Sequence, residues 1–170
     1  MFRCASLITV LLLTACIPSS PLTMKISSPA FIHNQSIPSL YTCDGANRSP
    51  PLKISGVPVE AKSLVLVNDD PDAPAGTWVH WLLWNIDPKT KEISEGVPPP
   101  EAIEGTTSFR KTGYGGPCPP SGTHRYFFKL YALDRTLDLP PSADKAKLEK
   151  AFEGHILAKT ELMGLYQRSR

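Results

Sequence analysis

Asp69, Asp70 and Asp72 crowd into the stretch Asp69-Asp70-Pro71-Asp72-Ala73-Pro74, directly after an apolar run. Pro71 and Pro74 restrict φ there and preset the carboxylates they flank. A lone Asp-Pro stretch is ordinarily only a turn, but this one is followed by Trp78-Val79-His80-Trp81. If the two runs form a hairpin, His80 returns to the same end of the sheet as the acids. A second imidazole, His124, stands two residues before Tyr126, so the two side chains share one face of a strand. Gly115-Gly116-Pro117 precedes them, and glycine lets backbone N–H groups come close to a ligand. Carboxylates, imidazoles and a phenol in one niche accept a small anion when the imidazoles take up protons, which for an unperturbed histidine happens near a pKa of about 6.5. Affinity for a phosphomonoester or phospho-headgroup is therefore expected to rise as pH falls from about 8 to about 6. Hydrogen bonds from Tyr126 and from loop N–H groups are expected to contribute roughly 1.5 to 3 kcal/mol each to a charged guest.

Other chemistries draw on the same residues with less support. A hydrolase using Asp/His acid-base chemistry is the alternative. The sequence has no Gly-x-Ser-x-Gly elbow, however, and Ser121 sits in a Pro/Gly loop with no assignable base. Asp70, Asp72, His80 and His124 are ligand types for a metal, yet their spacing matches no metal motif. Cys43 and Cys118 are too few for a structural zinc set. Pro117, Pro119 and Pro120 oppose the helix that a glycine-rich nucleotide loop would need. No catalytic residue, metal or cofactor is thus expected. A protein-binding module, with the niche docking an acidic or phosphorylated side chain, is the third class.

The elements that must hold these groups read as mainly β. A chain of 170 residues with 41% hydrophobic and 20% charged content suits one globular domain. Its 18 prolines, scattered between short apolar runs, favour loops and strands over a helical bundle. Ser63 to Asn68, Trp81 to Ile86 and Tyr126 to Leu133 read as buried strands. Shorter strands are expected at Lys25 to Ser27, Ile37 to Tyr41, Leu52 to Ser55 and Thr106 to Phe109, with a last one at Leu165 to Gln167. Pro98 to Gly105 reads as a surface connection. These segments predict an antiparallel two-sheet β-sandwich with two short C-terminal helices at its rim. The first helix starts at an Asp144 cap and presents Leu148, Ala151 and Phe152 on one face; the second runs from His155 to Met163 beyond a break at Gly154.

The N-terminus carries a different signal. Arg3, the apolar run Leu7 to Leu13 and Leu13-Thr14-Ala15-Cys16 have the order of a bacterial lipoprotein leader. The expected organisation is a signal peptide over 1–15, lipidation at Cys16, a tether over 16–23 and one domain over 24–170. That would place the protein in the bacterial cell envelope, lipid-anchored and facing the periplasm or exterior. Initiation at Met24 would instead leave it cytoplasmic. With Cys4 removed and Cys16 acylated, Cys43 and Cys118 remain as a disulfide or as two buried thiols. Formal charge is +2 with no Lys/Arg cluster, so no nucleic-acid partner is expected. The oligomeric state is left open, a homodimer included.

The segments Asp70-Pro71-Asp72-Ala73-Pro74, Trp78-x-His80-Trp81, Asn85-Ile86, Gly113-x-Gly115-Gly116-Pro117 and His124-Arg125-Tyr126 together resemble the signature of the phosphatidylethanolamine-binding protein family. The resemblance runs from Ile26 to Tyr166, and the C-terminal stretch is similar to the bacterial, Raf kinase inhibitor-like branch. It implies a β-sandwich with a small anion pocket at one end and no cofactor. By that resemblance Asp70 and His80 form the pocket floor, Pro74 a wall, Gly116 and Pro117 a loop, and His124 and Tyr126 the remaining polar lining, with Asp72 in the same motif. Inhibition of a kinase- or protease-type partner is the activity the resemblance raises, although no residue outside the pocket motif supports a particular target.

Overall fold

The computed structural model describes residues 23–168; the expected leader, the lipidation site Cys16 and the tether up to residue 22 lie outside them. Among the described residues nine strands form two sheets: β1 (Lys25–Ser27), β2 (Gln35–Ser36), β3 (Leu52–Ser55), β4 (Ser63–Asp70), β5 (Trp78–Ile86), β6 (Glu92–Ile93), β7 (Ile103–Glu104), β8 (His124–Leu133) and β9 (Ile156–Tyr166), with one α-helix, α1 (Lys145–Phe152). The small sheet has the order β1-β3-β6 and the large one β2-β9-β8-β4-β5-β7. All pairings are antiparallel except the two-residue parallel contact of β2 with β9.

β4 is the spine. Every one of its residues is buried, and its apolar run from Leu64 to Val67 is that of a strand covered on both faces. Leu64 and Leu66 face the small sheet and pack in one core with Leu52, Ile54 and Phe128. Val65 and Val67 face the other way and share a second core with Trp84, Leu148 and Phe152 of the helix layer. The two-sheet sandwich is thus as expected, with α1 covering the outer face of the large sheet.

The expected second helix is a strand. Asp144 caps α1 by accepting from Lys147 N at 3.0 Å, as its position predicts. Gly154 at φ 78° then reverses the chain, and His155 to Met163 runs into β9, which pairs with β8 from Leu133↔Ile156 to His124↔Tyr166. A helix would have left the second edge of β8 without backbone partners, and that requirement overrides the local 3.6-residue pattern. The short strand expected at Leu165 to Gln167 is the end of β9.

Two other strands are relocated. Of Ile37 to Tyr41, only Ile37 N reaches the sheet, donating to Leu165 O at 2.7 Å. Pro38 has no N–H to continue the ladder, and Ser39–Tyr41 coils into a 3₁₀ turn. Thr106 to Phe109 is a loop closed by Arg110 N to Thr107 O at 3.0 Å. The strand lies just before it, as β7, inside the stretch that reads as a surface connection. Gly105 ends β7 where any Cβ would sit 2.6 Å from the Trp84 ring.

Candidate functional site

β4 and β5 form the hairpin that brings the acids back to His80, but their alternation does not continue evenly. Asn68 faces Trp81 while Asp69 faces Val79, so His80 is an extra residue, a β-bulge opposite the β4 end. A bulge re-aims a side chain out of the regular pleat. Here it brings His80 to the side of the sheet from which Tyr126 and His124 project on β8, and it packs edge-on against Tyr126 with ring centroids 5.2 Å apart. Strand alternation separates the neighbouring acids: Asp70 faces this end, whereas Asp69 is buried on the opposite face and held by Lys129 and Lys145.

A cavity of about 480 Å³ opens at this end of the sandwich. Its polar lining is Asp70, His80, His124 and Tyr126, and its walls are Ala73, Pro74, Ala75, Trp78, Phe109, Cys118, Pro119 and Pro120. All four polar residues are buried. His124 Nδ1 lies 2.7 Å from Asp70 Oδ2, and the other Asp70 oxygen accepts from Asp72 N at 2.8 Å. Both carboxylate oxygens are therefore used within the protein.

His80 Nδ1 lies 2.6 Å from Gly115 O. A carbonyl only accepts, so Nδ1 carries the proton and the neutral ring presents a lone pair at Nε2. Burial pushes the His80 pKa below its usual 6.5, against the opposing pull of the Gly115 carbonyl and Asp70. Burial also raises the Tyr126 phenol, reinforced by the charge of Asp70. That hydroxyl sits beside Asp70 and the Cys118 backbone, yet neither contact meets hydrogen-bond geometry, and it is a buried group without a partner among the described residues.

Three of the expected site residues support the cavity from outside it. Asp72 turns away to grip Arg125, accepting from Nε at 2.9 Å and Nη2 at 2.6 Å, and this pairing lowers its pKa to about 2. It fixes the acidic loop to the start of β8. Gly116 donates its N–H to Asn47 Oδ1 at 2.7 Å, and a Cβ there would lie 2.5 Å from Tyr41 O. Pro117 O accepts from Cys43 N at 3.1 Å. The Cys43–Cys118 disulfide, with Cα atoms 5.4 Å apart, ties this wall to the segment after the 3₁₀ turn.

Sequence reasoning missed most of the apolar walls. Trp78, Ala73 and Ala75 lay within or beside the motifs already singled out, and Pro119 and Pro120 in the loop before His124. Phe109 had no sequence signal: it comes from the loop expected to be a strand. Its ring lies 5.4 Å edge-on from both Trp78 and His80 and fills the space that a Cβ on Gly115 would need. Among the described residues no group of three or more His, Cys, Asp or Glu could hold a metal ion.

Comparisons with known proteins agree with this fold. A family model described as phosphatidylethanolamine-binding protein matches residues 27–167. A UPF0098 protein of Methanothermobacter thermautotrophicus is 51% identical over 150 residues, covering 85% of this chain and 99% of the relative. A phosphatidylethanolamine-binding protein homologue from Chlamydia trachomatis has a solved structure with a TM-score of 0.84 and 42% identity, covering 87% of this chain and 99% of its own. YbcL of Escherichia coli, described as a member of the mammalian family, gives a TM-score of 0.81 at 27% identity, covering 86% of this chain and 99% of its own.

Proposed function

The chain belongs to the phosphatidylethanolamine-binding protein family, and from that premise we propose that it is a non-catalytic binding protein whose cavity takes a small anionic group, such as a phosphate ester, a phospho-headgroup or a carboxylate. One observation carries the reading: Asp70, His80, His124 and Tyr126 converge at one buried end of a cavity large enough for a guest. The Tyr126 hydroxyl at that floor is sealed and without an acceptor, which costs about 1 to 3 kcal/mol, and an anion oxygen that displaced its cover would supply one. Proton uptake at His80 Nε2 turns the second group into a donor. The lining contains no serine or threonine hydroxyl, and Cys118 is oxidised, which favours binding over covalent catalysis.

Titration of the purified protein with acetate and with inorganic phosphate, followed by amide and imidazole NMR shifts, tests this. Saturable shifts at His80, His124 and Tyr126 are expected, together with at least tenfold weaker binding in His124→Ala. Shifts that never saturate, or that map elsewhere, would remove the proposal.

An inhibitor role follows if a kinase- or protease-type partner presents the anion. Capture of such a partner by the wild-type protein, lost in His80→Ala, is the expected result; capture that the substitution leaves unchanged argues against the cavity as the docking point. We place the protein in the cell envelope, anchored through Cys16. What supports this is the order of residues in the leader and the disulfide, which persists in oxidising compartments. Intact mass of the native protein would report acylation at Cys16; an unmodified chain starting at Met24 would refute the anchor.

A further inference from the structure

We propose that Lys111 is the specificity-determining cation of the cavity, neutralising a bound anion from a strap that is tied to β5 and carries its ammonium beside the Phe109 ring. This rests on the anion-binding reading above and supplies what the cavity lining itself lacks.

The lining lacks positive charge. No lysine or arginine is among its residues. Asp70 and His124 sum to zero when the imidazole is protonated and to minus one when it is neutral. Burial holds the His80 pKa below 6.5, so that ring is neutral at about pH 7. The floor thus offers hydrogen-bonding groups without a net countercharge, and an anion taken out of water needs one. Other cations of the neighbouring strands are engaged. Arg125 grips Asp72 outside the cavity, and Lys129 and Lys145 close on Asp69 at the opposite face of the sheet. Lys111 is exposed and forms no ion pair among the described residues.

Its position is set by the strap over 107–115. At one end Ser108 N donates to Val79 O at 3.1 Å, and Ser108 Oγ accepts from Val79 N at 2.9 Å. At the other, Gly115 N donates to His80 O at 2.9 Å while Gly115 O takes the His80 Nδ1 proton. Between them Lys111 O accepts from both Thr107 N at 3.0 Å and Thr107 Oγ1 at 2.9 Å, and Thr107 is itself buried. The Lys111 main chain is therefore fixed relative to the strand that carries His80, while its ammonium rides on a flexible four-carbon stem. That ammonium lies 6.0 Å from the Phe109 ring centroid. The same ring lines the cavity and has its centroid 5.4 Å from that of His80. One aromatic ring thus neighbours both the free cation and the floor. A cation–π contact at an exposed site is weak, so the ammonium leaves it for a guest anion at little cost. Arg110, the other exposed cation of this turn, makes no such ring contact among the described residues. Because the Coulomb attraction scales with the charge of the guest, Lys111 separates a phosphomonoester dianion from a carboxylate of similar size.

The test is calorimetric titration of the purified protein with acetate and with methyl phosphate, a dianion at about pH 7.5, in about 20 mM and about 300 mM salt. At low salt Lys111→Met is expected to weaken methyl phosphate binding by about tenfold and acetate binding by about threefold. Lys111→Arg should keep methyl phosphate affinity within about twofold of wild type, and Arg110→Met should lose less than about twofold. The loss in Lys111→Met should shrink at high salt, where an exposed charge is screened. Unchanged methyl phosphate affinity in Lys111→Met, an equal loss in Arg110→Met, or equal losses for the two anions would overturn the assignment while leaving anion binding in place. If wild type binds neither anion saturably, the anion-binding reading itself fails and this inference falls with it.

Discussion

Removing the Cys43–Cys118 bridge is the perturbation with the largest calculable effect. The bridge closes a segment with a sequence separation of 75 residues, which contains β3 to β7. In the chain-entropy picture a loop of that length restricts the unfolded ensemble by ~4.5 kcal/mol. The folded state changes little by comparison, because both ends are already pinned by Cys43 N to Pro117 O and by Gly116 N to Asn47 Oδ1. Cys43→Ser/Cys118→Ser, or wild type under strong reductant, should therefore lose about 3 to 5 kcal/mol in urea unfolding and melt roughly 10 to 15 °C lower. The loss should also reach the cavity, since Cys118, Pro119 and Pro120 form one wall. Acetate or phosphate binding to the reduced protein should weaken. The assay pairs unfolding curves with intact mass, which must show the oxidised sample lighter by two hydrogens. A stability difference below about 1 kcal/mol with the bridge confirmed by mass would refute this reasoning, because it would mean that the unfolded chain gains no freedom when a closure of this length is opened.

Three further outcomes follow. Tyr126→Phe removes a buried hydroxyl that lacks a partner; stability should stay level or rise by up to about 1 kcal/mol while anion affinity falls roughly tenfold, and a large loss of stability would show that the hydroxyl is already bonded. Gly116→Ala puts a Cβ within 2.8 Å of Tyr41 O, Asn47 Oδ1 and Thr42 Cα; a loss of about 2 kcal/mol or more is expected in denaturant titration, and a neutral result would mean the wall moves freely. For pH, the His80 pKa is lowered in the folded state, so the unfolded chain binds more protons below about 6.5. The contribution of His80 to stability is complete above that pH and is lost as pH falls through 6.5 toward the folded value; wild type should lose stability over that window faster than His80→Phe, and parallel curves would contradict the burial effect.

The sequence alone determined the strands that carry the longest apolar runs and the side chains that share a face by strict alternation. β4, β5 and β8 have residues that must be buried whatever surrounds them, and His124 and Tyr126 are two apart on one strand, so their common direction is a covalent fact. The motif around Asp70 likewise identified the acidic loop. β9 was hidden because its residues also fit a helical stripe; what decides it is the open edge of β8, a demand that exists only once β8 is in place. The same holds inside the site. Asp72, Gly116 and Pro117 belong to the motif but hold the cavity from behind, and Phe109, outside every motif, lines its mouth. His80 reaches the floor through a bulge that depends on how β4 and β5 register. Local periodicity records which way a residue points along its own strand; where two strands slip, where a loop folds back and which groups meet are set by hydrogen bonds and packing between segments far apart in the chain, and those exist only in the folded molecule.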